Sequence, residues 1–417
     1  MKDIENTKKE APMIGLTGMG GGVASLMWAA GAAGAAGYLW AWGKNKGGEL
    51  GLNDAIWRSS PTQVGTDSTW GSPVDGVKIN QLGYDGSPGG NTTIQTKTDG
   101  TLWSWGNNQY GGLGQNNKTQ YSSPTQVGTD TTWAMGLSGA GLGWGVKTDG
   151  TLWSWGQNYF GLLGQNEGGG SDYGYAPGPS SPTQIGTDTN WQATNKSISL
   201  GTWAAGAVKT DGTLWMWGRG FTGMLGLNQG GDDVSGVTRS SPTQVGTNTT
   251  WSKVMVGIDV TYGFKTDGTL WSWGRNNYGQ LGLDGPRGDN RSSPSQIGSA
   301  PSAWADLTGS YVSTVGVRED GTMWFWGYDG TGPIPGWISS PTQIPGSDWS
   351  SGYYDVRGVN VTKTDGTMWS WGENQAGNSG TNNNTAYASP HQVPGTRWPK
   401  DQRIGGTWNT HWAITTE

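Results

Sequence analysis

The sequence predicts an all-β protein, a seven-bladed β-propeller of four-stranded antiparallel blades. The first observation is a repeat, because Lys-Thr-Asp-Gly-Thr-Leu-Trp-Ser-Trp-Gly occurs identically at residues 97–106, 147–156 and 265–274. Seven Trp-x-Trp pairs mark the copies, and they begin at Trp40, Trp103, Trp153, Trp215, Trp271, Trp324 and Trp369. Each pair is followed by Ser-Pro-Thr-Gln or a close variant and then by a lone Trp, at Trp70, Trp133, Trp191, Trp251, Trp304, Trp349 and Trp398. Units of 45–63 residues have the period of a propeller and not of a helical solenoid.

The residues around Asp267 show why each copy forms strands. Two alternating runs flank Asp267-Gly268, and Asp-Gly between such runs is a strong β-hairpin signal, because Gly accepts a positive φ without strain. After the turn, Trp271 and Trp273 point to one side of the strand and Ser272 to the other. We name the Pro-Thr-Gln run strand A, the run that begins at the lone Trp strand B, and the hairpin strands C and D. Proline in strand A fits an edge position, where a missing N–H costs little.

The two ends of the chain are predicted to share one blade. Trp412–Glu417 aligns with Trp144–Asp149, so the sequence stops where the Asp of a hairpin turn would stand. The partner strand missing there is found at the front of the chain, in Tyr38–Gly43. We therefore expect the last blade to be closed by an N-terminal and a C-terminal strand, which removes exposed sheet edges. This divides the chain into a Gly/Ala-rich N-terminal tail, residues 1–37, and a propeller, residues 38–417.

Composition argues against an enzyme. The chain has no Cys and only two His, His391 and His411, which leaves no thiolate and little for imidazole catalysis or a metal site. No cofactor and no metal are therefore predicted, and both His are expected to be incidental, replaceable by Gln within about 1 kcal/mol. The net charge of −6 argues against nucleic acid as a partner.

Three recurring side chains are assigned to structure. The Trp-x-Trp pairs are predicted to pack between blades, because they recur in every unit. The carboxylates of the Asp-Gly turns lie one blade apart, too far for a catalytic dyad, and are interpreted as turn residues: Asp99, Asp149, Asp211, Asp267, Asp320 and Asp365. The Gln of each strand A is predicted to be a buried hydrogen bonder between blades: Gln63, Gln126, Gln184, Gln244, Gln296, Gln343 and Gln392.

The N-terminal tail carries an uncharged stretch, residues 11–43. Gly and Ala dominate it, so a membrane span is not favoured, and a mixed-charge front end argues against a secretory signal. We expect instead an assembly anchor that inserts between partner subunits. Its apolar side chains are Met13, Ile14, Leu16, Leu26, Met27 and Trp28.

The motifs resemble those of the regulator-of-chromosome-condensation repeat family. Asp-Gly-Thr-Leu-Trp-x-Trp-Gly, Asn-x-x-Gly-x-Leu-Gly and Pro-Thr-Gln-Val follow one another in the chain, and the resemblance covers residues 38–417. It implies a seven-bladed propeller and leaves function open, because that fold hosts unrelated roles. The founding member is an exchange factor for the Ran GTPase on chromatin, but this chain lacks a basic N-terminal tail, so that activity is not expected. The near-identical, Trp-rich copies look most like repeat proteins of bacteria and their phages.

The copies differ most in three insertions, at residues 80–90, 165–179 and 227–239. The first joins strands B and C and the other two join D to A, so all three lie on the face away from the Asp-Gly turns. Binding residues are often found on loops that a rigid scaffold holds in place. The predicted partner-binding residues are Tyr84, Tyr173, Tyr175, Asp232 and Asp233.

These observations lead to a functional prediction with an alternative. We expect a non-enzymatic virion structural or attachment protein, of a phage, that binds other virion proteins through its tail and a host-surface receptor through its loops. The predicted location is the virion. The alternative is an adhesion or protein-interaction module, secreted or on a bacterial surface.

Overall fold

Seven antiparallel sheets form the blades of a propeller, as the repeat predicts. The computed structural model describes residues 36–74, 92–139, 141–167, 177–194, 196–229, 237–298, 303–309, 312–329, 336–354, 358–395, 398, 404–407 and 410–415. In six blades the strands lie in the order B, C, D, A, and the described part of the seventh has C, D and A in that order. Strand B is the inner strand, because neighbouring B strands touch: the N–H of Val256 in one blade donates to Ser199 Oγ in the blade before it, at 2.9 Å.

The first three blades carry the following strands, in the order B to A. The described part of blade 1 has strands C, D and A, at Thr92–Thr96, Leu102–Gly106 and Tyr121–Gln126. Blade 2 has Trp133–Gly139, Leu142–Lys147, Leu152–Gly156 and Thr183–Gln184. Blade 3 has Ile198–Leu200, Ala204–Val208, Leu214–Gly220 and Val237–Gln244. Two 3-10 turns follow strand D in blades 2 and 3, at Tyr159–Gly161 and Phe221–Gly223.

The remaining blades repeat the same order. Blade 4 has Trp251–Val256, Val260–Lys265, Leu270–Gly274 and Arg291–Gln296. Blade 5 has Trp304–Gly309, Ser313–Arg318, Met323–Asp329 and Gly336–Ile344. Blade 6 has Trp349–Tyr354, Gly358–Lys363, Met368–Gly372 and Tyr387–Val393. The closing blade has Ile404–Thr407, Thr410–Thr415, Tyr38–Gly43 and Arg58–Gln63.

The closing blade confirms the prediction that both ends of the chain contribute strands to it. Tyr38–Gly43 pairs residue by residue with Thr410–Thr415, from Tyr38 opposite Thr415 to Gly43 opposite Thr410. The C-terminal strand packs on both neighbours, because Trp412 and Ile414 lie in one core cluster with Trp105 of blade 1, and Ala413 lies in another with Met368 of blade 6.

Strand A lies at the outer edge of each blade and contains a bulge. In six blades the register between strands D and A shifts around the second Trp of the pair. In blade 4, Ser272 lies opposite Ser295, but Gly274 lies opposite Arg291, so that Pro294 falls in the irregular stretch. A bulge at an edge tolerates a residue without an N–H, which explains why each copy can keep its proline.

In six of the seven pairs the second Trp is hydrogen-bonded to the neighbouring blade, which confirms the predicted packing between blades for that ring. Its Nε1–H donates across the blade boundary to a backbone carbonyl of the preceding blade at 2.9–3.0 Å: Trp42 to Asn378, Trp105 to Glu49, Trp155 to Gly112, Trp217 to Leu162, Trp273 to Met224 and Trp326 to Gln280. A glycine makes room for the ring: a Cβ on Gly164, at φ +68°, would lie 2.8 Å from Nε1 of Trp217. These rings are buried and hydrogen-bonded, as large aromatic side chains in a core should be.

Two expectations from the sequence are wrong at the level of individual side chains. His411 is fully buried, stacks on Trp42 at 5.8 Å, and its Nδ1 lies 3.1 Å from Nδ2 of Asn360, so it is a packing residue of the closing blade. His391, in contrast, is exposed and stacks on Tyr387 at 4.2 Å. The recurring Gln of strand A lies opposite the first Trp of each pair, on the outer strand, and is half-buried or exposed. The burial prediction failed because strand A is the outer strand, which has a neighbour on one side only.

Candidate functional site

The propeller has two faces, and the first is the hairpin face, which carries the Asp-Gly turns. In each turn the Asp accepts hydrogen bonds from the backbone N–H and the hydroxyl of the Thr two residues later, as at Asp149 and Thr151, at 3.0 and 2.7 Å. The same Thr hydroxyl accepts from Nε1 of the first Trp of the pair, as Thr151 does from Trp153 at 2.8 Å. Gly100, in the equivalent turn of blade 1, takes φ +79°, and a Cβ there would lie 2.0 Å from the Thr131 carbonyl. The turn carboxylates are therefore turn residues, as predicted.

A cation and two Trp rings recur beside these turns. Lys97 Nζ lies 3.7 Å from the centre of the Trp103 ring and 4.9 Å from that of Trp70, and it forms an ion pair with Asp67 at 2.5 Å. Blades 2, 3 and 6 repeat this arrangement around Lys147, Lys209 and Lys363. The ammonium groups of these four lysines are thus already in contact with Trp rings and paired with carboxylates of the same chain.

The hairpin turns predict how stability depends on pH. Hydrogen bonds from the following Thr lower the pKa of the turn carboxyls below the ordinary value of 3.8 at Asp149, Asp211, Asp267 and Asp320. A carboxyl with a lowered folded-state pKa contributes stability that is present above the unfolded value and is lost as the pH falls through the folded value. We therefore expect the Tm to be flat from about pH 7 to pH 5 and to fall below about pH 4. Calorimetry across this range checks it, and a Tm that already falls between about pH 7 and pH 5 would contradict it.

The second face, the loop face, carries the B–C and D–A connections. Its D–A loops are organised by an Asn after strand D. In blade 4, Asn276 Oδ1 accepts the Leu281 N–H at 3.2 Å, while its Nδ2 donates to the Pro286 carbonyl at 3.3 Å. The corresponding side chains are Asn45, Asn108 and Asn374, which bond the same loop positions. This Asn explains the Asn-x-x-Gly-x-Leu-Gly motif and holds the loop that carries Tyr278 and Arg287.

A half-exposed aromatic cluster lies where blades 4 and 5 meet on the loop face. Trp337 is 49% exposed, stacks on Tyr278 at 5.3 Å with an interplanar angle of 4°, and packs against Tyr328 at 4.4 Å. Tyr328 and Trp337 are opposite each other across strands D and A of blade 5. The exposed guanidinium of Arg287 lies 4.5 Å from the centre of the Trp337 ring. We call Tyr278, Arg287, Tyr328 and Trp337 the Trp337 cluster.

A second group of the same kind lies between blades 2 and 3. The guanidinium of Arg219 lies 4.9 Å from the ring centre of Phe160, 4.8 Å from that of Phe221 and 5.8 Å from that of Trp203. Phe160 and Trp203 meet edge to face at 5.8 Å. We call these four residues the Phe160 cluster. Two blade junctions of the loop face therefore present an arginine on aromatic rings.

The residues that the sequence singled out for binding cannot be placed. Tyr84, Tyr173, Tyr175, Asp232 and Asp233 lie outside the described residues, as do the tail residues Met13, Ile14, Leu16, Leu26, Met27 and Trp28. For the third insertion the flanking strands are described, and Gly220 pairs with Val237 at their loop-face ends. Among the parts of the chain that the structure does describe, no helix is long and apolar enough to cross a bilayer, and no group of three His, Cys, Asp or Glu side chains could hold a metal.

The sequence motifs did not predict either cluster, although the residue type at position 337 is unusual for the repeat. Trp337 stands three residues before Ser340, at a position where the other copies have Gln120, Gly178, Thr238, Asn290, Ala386 and, in the closing blade, Trp57. A large apolar side chain departs here from a position that is polar or small in five of the seven copies. Such departures mark positions that the repeat architecture alone does not require.

Comparison with known proteins bears on the family. The regulator of chromosome condensation (RCC1) repeat matches the chain at residues 99–135 and 267–309. All seven blades carry the Trp pair, six carry the same Asp-Gly turn, and the matched repeats are two of these blades. The chain carries RCC1 repeats.

Relatives of this propeller include eukaryotic proteins. Two Arabidopsis thaliana proteins are each 27% identical to it: the ultraviolet-B receptor UVR8 over 310 residues, and the mitochondrial RCC1 domain-containing protein RUG3 over 307. Each alignment covers 70% of this chain but only 61% of the relative. The structure of Prp20p from Saccharomyces cerevisiae superposes with a TM-score of 0.72 at 15% identity, covering 91% of both chains, which shows a shared fold.

These relatives overturn the functional prediction made from the sequence. The prediction of a virion structural or attachment protein is wrong, and so is the predicted virion location, because the relatives are RCC1-like proteins of plants and yeast. The likeness to bacterial and phage repeats has no support either. The error arose because near-identical, Trp-rich copies were taken as a sign of source, whereas the structure shows that they meet the packing demands of each blade.

Proposed function

We propose that this RCC1 propeller is a non-enzymatic protein-binding module whose loop face holds a protein partner. The observation that carries the proposal is the Trp337 cluster. A Trp that is 49% exposed, stacked on Tyr278 and packed against Tyr328, is a rigid, amphipathic anchor, and Trp, Tyr and Arg are the side chains that dominate binding at protein interfaces.

Chemistry elsewhere in the chain supports a binding role over a catalytic one. The chain has no Cys. His411 packs against Trp42, and the turn carboxylates accept hydrogen bonds from Thr residues of the same turns. Prp20p, which shares this fold, has binding properties toward Gsp1p and histones, so at least one RCC1 propeller binds proteins. The insertion residues Tyr84, Tyr173, Tyr175, Asp232 and Asp233 are proposed to extend the same interface, and the tail 1–37 to form a separate attachment segment.

The test compares two exposed tryptophans at equivalent positions. Trp337→Ala removes the centre of the cluster, whereas Trp57→Ala removes a 51% exposed Trp for which the structure describes no ring stack. We expect Trp337→Ala to weaken binding of the natural partner about 30-fold, the effect of losing a hot-spot Trp, and Trp57→Ala to leave it unchanged. Quantitative co-purification from source cells with each full-length variant measures this. Equal partner recovery with both variants would show that the Trp337 cluster is not the interface.

A further inference from the structure

Two arginines of the loop face are supported by aromatic rings instead of carboxylates. Arg287 lies over Trp337, and Arg219 lies over Phe160 and Phe221. Their neighbours on the same face behave differently, because Arg275 pairs with Asp259 at 3.0 Å and Arg291 pairs with Asp289 at 2.6 Å. Within the described ranges of the chain, no carboxylate forms an ion pair with Arg219 or Arg287.

This support is compatible with further hydrogen bonds from the guanidinium. A guanidinium can make a cation–π contact through its planar face while the N–H groups around its edge donate to another partner. Those N–H groups form a fork that matches a carboxylate, with two parallel hydrogen bonds. Arg287 is exposed and Arg219 is half-buried, so solvent reaches both side chains. The rings also restrict each side chain, which lowers the entropy lost on binding.

We propose that the loop face recognises an acidic segment of its protein partner, with carboxylates received by Arg219 and Arg287 and an aromatic or apolar side chain received by Trp337. The inference rests on the proposed function and names the chemistry of its partner. A carboxylate-bearing peptide fits better than a nucleic acid, because the chain has a net charge of −6 and the partly exposed Asp289 stands two residues after Arg287. A continuous run of phosphates would be repelled by that carboxylate, whereas a peptide with spaced Glu or Asp side chains can avoid it.

Fluorescence anisotropy with labelled peptides and the full-length chain tests the proposal. The probe is a peptide of repeating Glu-Trp-Gly, compared with a Gln-Trp-Gly peptide, a Lys-Trp-Gly peptide and an oligothymidylate. We expect the Glu peptide to bind at least about tenfold more tightly than the Gln peptide and to weaken with added salt, as charge-assisted hydrogen bonds do. Lack of detectable binding by the Glu peptide, or equal binding of the Glu and Gln peptides, overturns the proposal. Tighter binding of the oligothymidylate than of the Glu peptide also overturns it.

Variants locate the effect on the two arginines. Arg287→Gln and Arg219→Gln should each weaken the Glu peptide about tenfold, and Arg287→Lys, which keeps the charge but loses the fork, should recover only part of that loss. The matched control is Lys118→Gln, because Lys118 is an exposed cation in the D–A loop of blade 1 and its loss removes the same charge. An equal loss of Glu-peptide affinity in Lys118→Gln would mean that the peptide responds to net charge and not to the paired hydrogen bonds of the guanidinium. That result contradicts the proposal. Unchanged thermal unfolding of each variant shows that the fold is intact.

The partner assay separates this inference from the proposed function. A double variant, Arg219→Gln with Arg287→Gln, is expected to lose the natural partner as Trp337→Ala does. If the double variant still binds the partner while Trp337→Ala does not, the loop face is the interface, but it does not bind the partner through an acidic segment. If neither variant affects the partner, the proposed function itself fails.

Discussion

A chain that stops after Asn409 loses the cooperative unfolding of the propeller. The deletion removes Thr410–Thr415, the strand that pairs with Tyr38–Gly43 in the closing blade. Trp412 and Ile414, which it also removes, are at most 2% exposed and pack against blade 1. Loss of one core Trp or Ile costs about 2–5 kcal/mol, and a domain is stable by only about 5–15 kcal/mol. Differential scanning calorimetry and near-ultraviolet circular dichroism should show a broadened, low-temperature transition.

The control for this deletion is a chain that stops after Thr415. It retains the whole described strand and the hydrogen bond from Trp40 Nε1 to Thr415 Oγ1 at 3.1 Å. We expect it to unfold like the full-length protein. If the chain that stops after Asn409 melts like this control, the closing blade does not hold the ring together.

Replacement of Trp217 by Ala is expected to cost about 3–5 kcal/mol, the range for a large aromatic side chain in a core. Trp217 is fully buried, stacks on Trp144 of blade 2 at 4.9 Å and donates to the Leu162 carbonyl at 3.0 Å. Its loss opens a cavity at the joint between blades 2 and 3 and leaves that carbonyl without its indole donor. Urea unfolding at equilibrium measures the free energy of unfolding.

Two control variants divide this cost into its parts. Trp217→Phe keeps most of the ring but loses the Nε1–H bond, so it should cost less than Trp217→Ala by about 2 kcal/mol. Trp215→Ala removes the first Trp of the same pair, which is half-buried and bonds Thr213 in its own hairpin at 2.8 Å. We expect about 1–2 kcal/mol for Trp215→Ala. Equal costs at the two positions would contradict the assignment of the second Trp to the blade joint.

Much of the fold could be predicted because the sequence repeats its local signals. Asp267-Gly268 specifies a hairpin through its backbone preference, and the same dipeptide recurs in five other copies. The closure was also predictable, because Trp412–Glu417 lacks a partner strand that Tyr38–Gly43 can supply. Individual side chains were harder: His411 looked incidental in the sequence, and only the contact of the closing blade with blade 6 shows that it is buried beside Trp42 and Asn360.

By itself, the sequence determined the blade count, the strand order within a blade, the turn role of the Asp residues and the contribution of both ends of the chain to one blade. These properties follow from backbone preferences and from a side-chain period that repeats along the chain, and both are local. The tertiary structure alone decided which side chains meet across blades. Tyr278 and Trp337 are 59 residues apart in the sequence and belong to different blades, yet their rings stack at 5.3 Å. No local period encodes that contact, because it depends on how two separately folded sheets pack side by side around the ring.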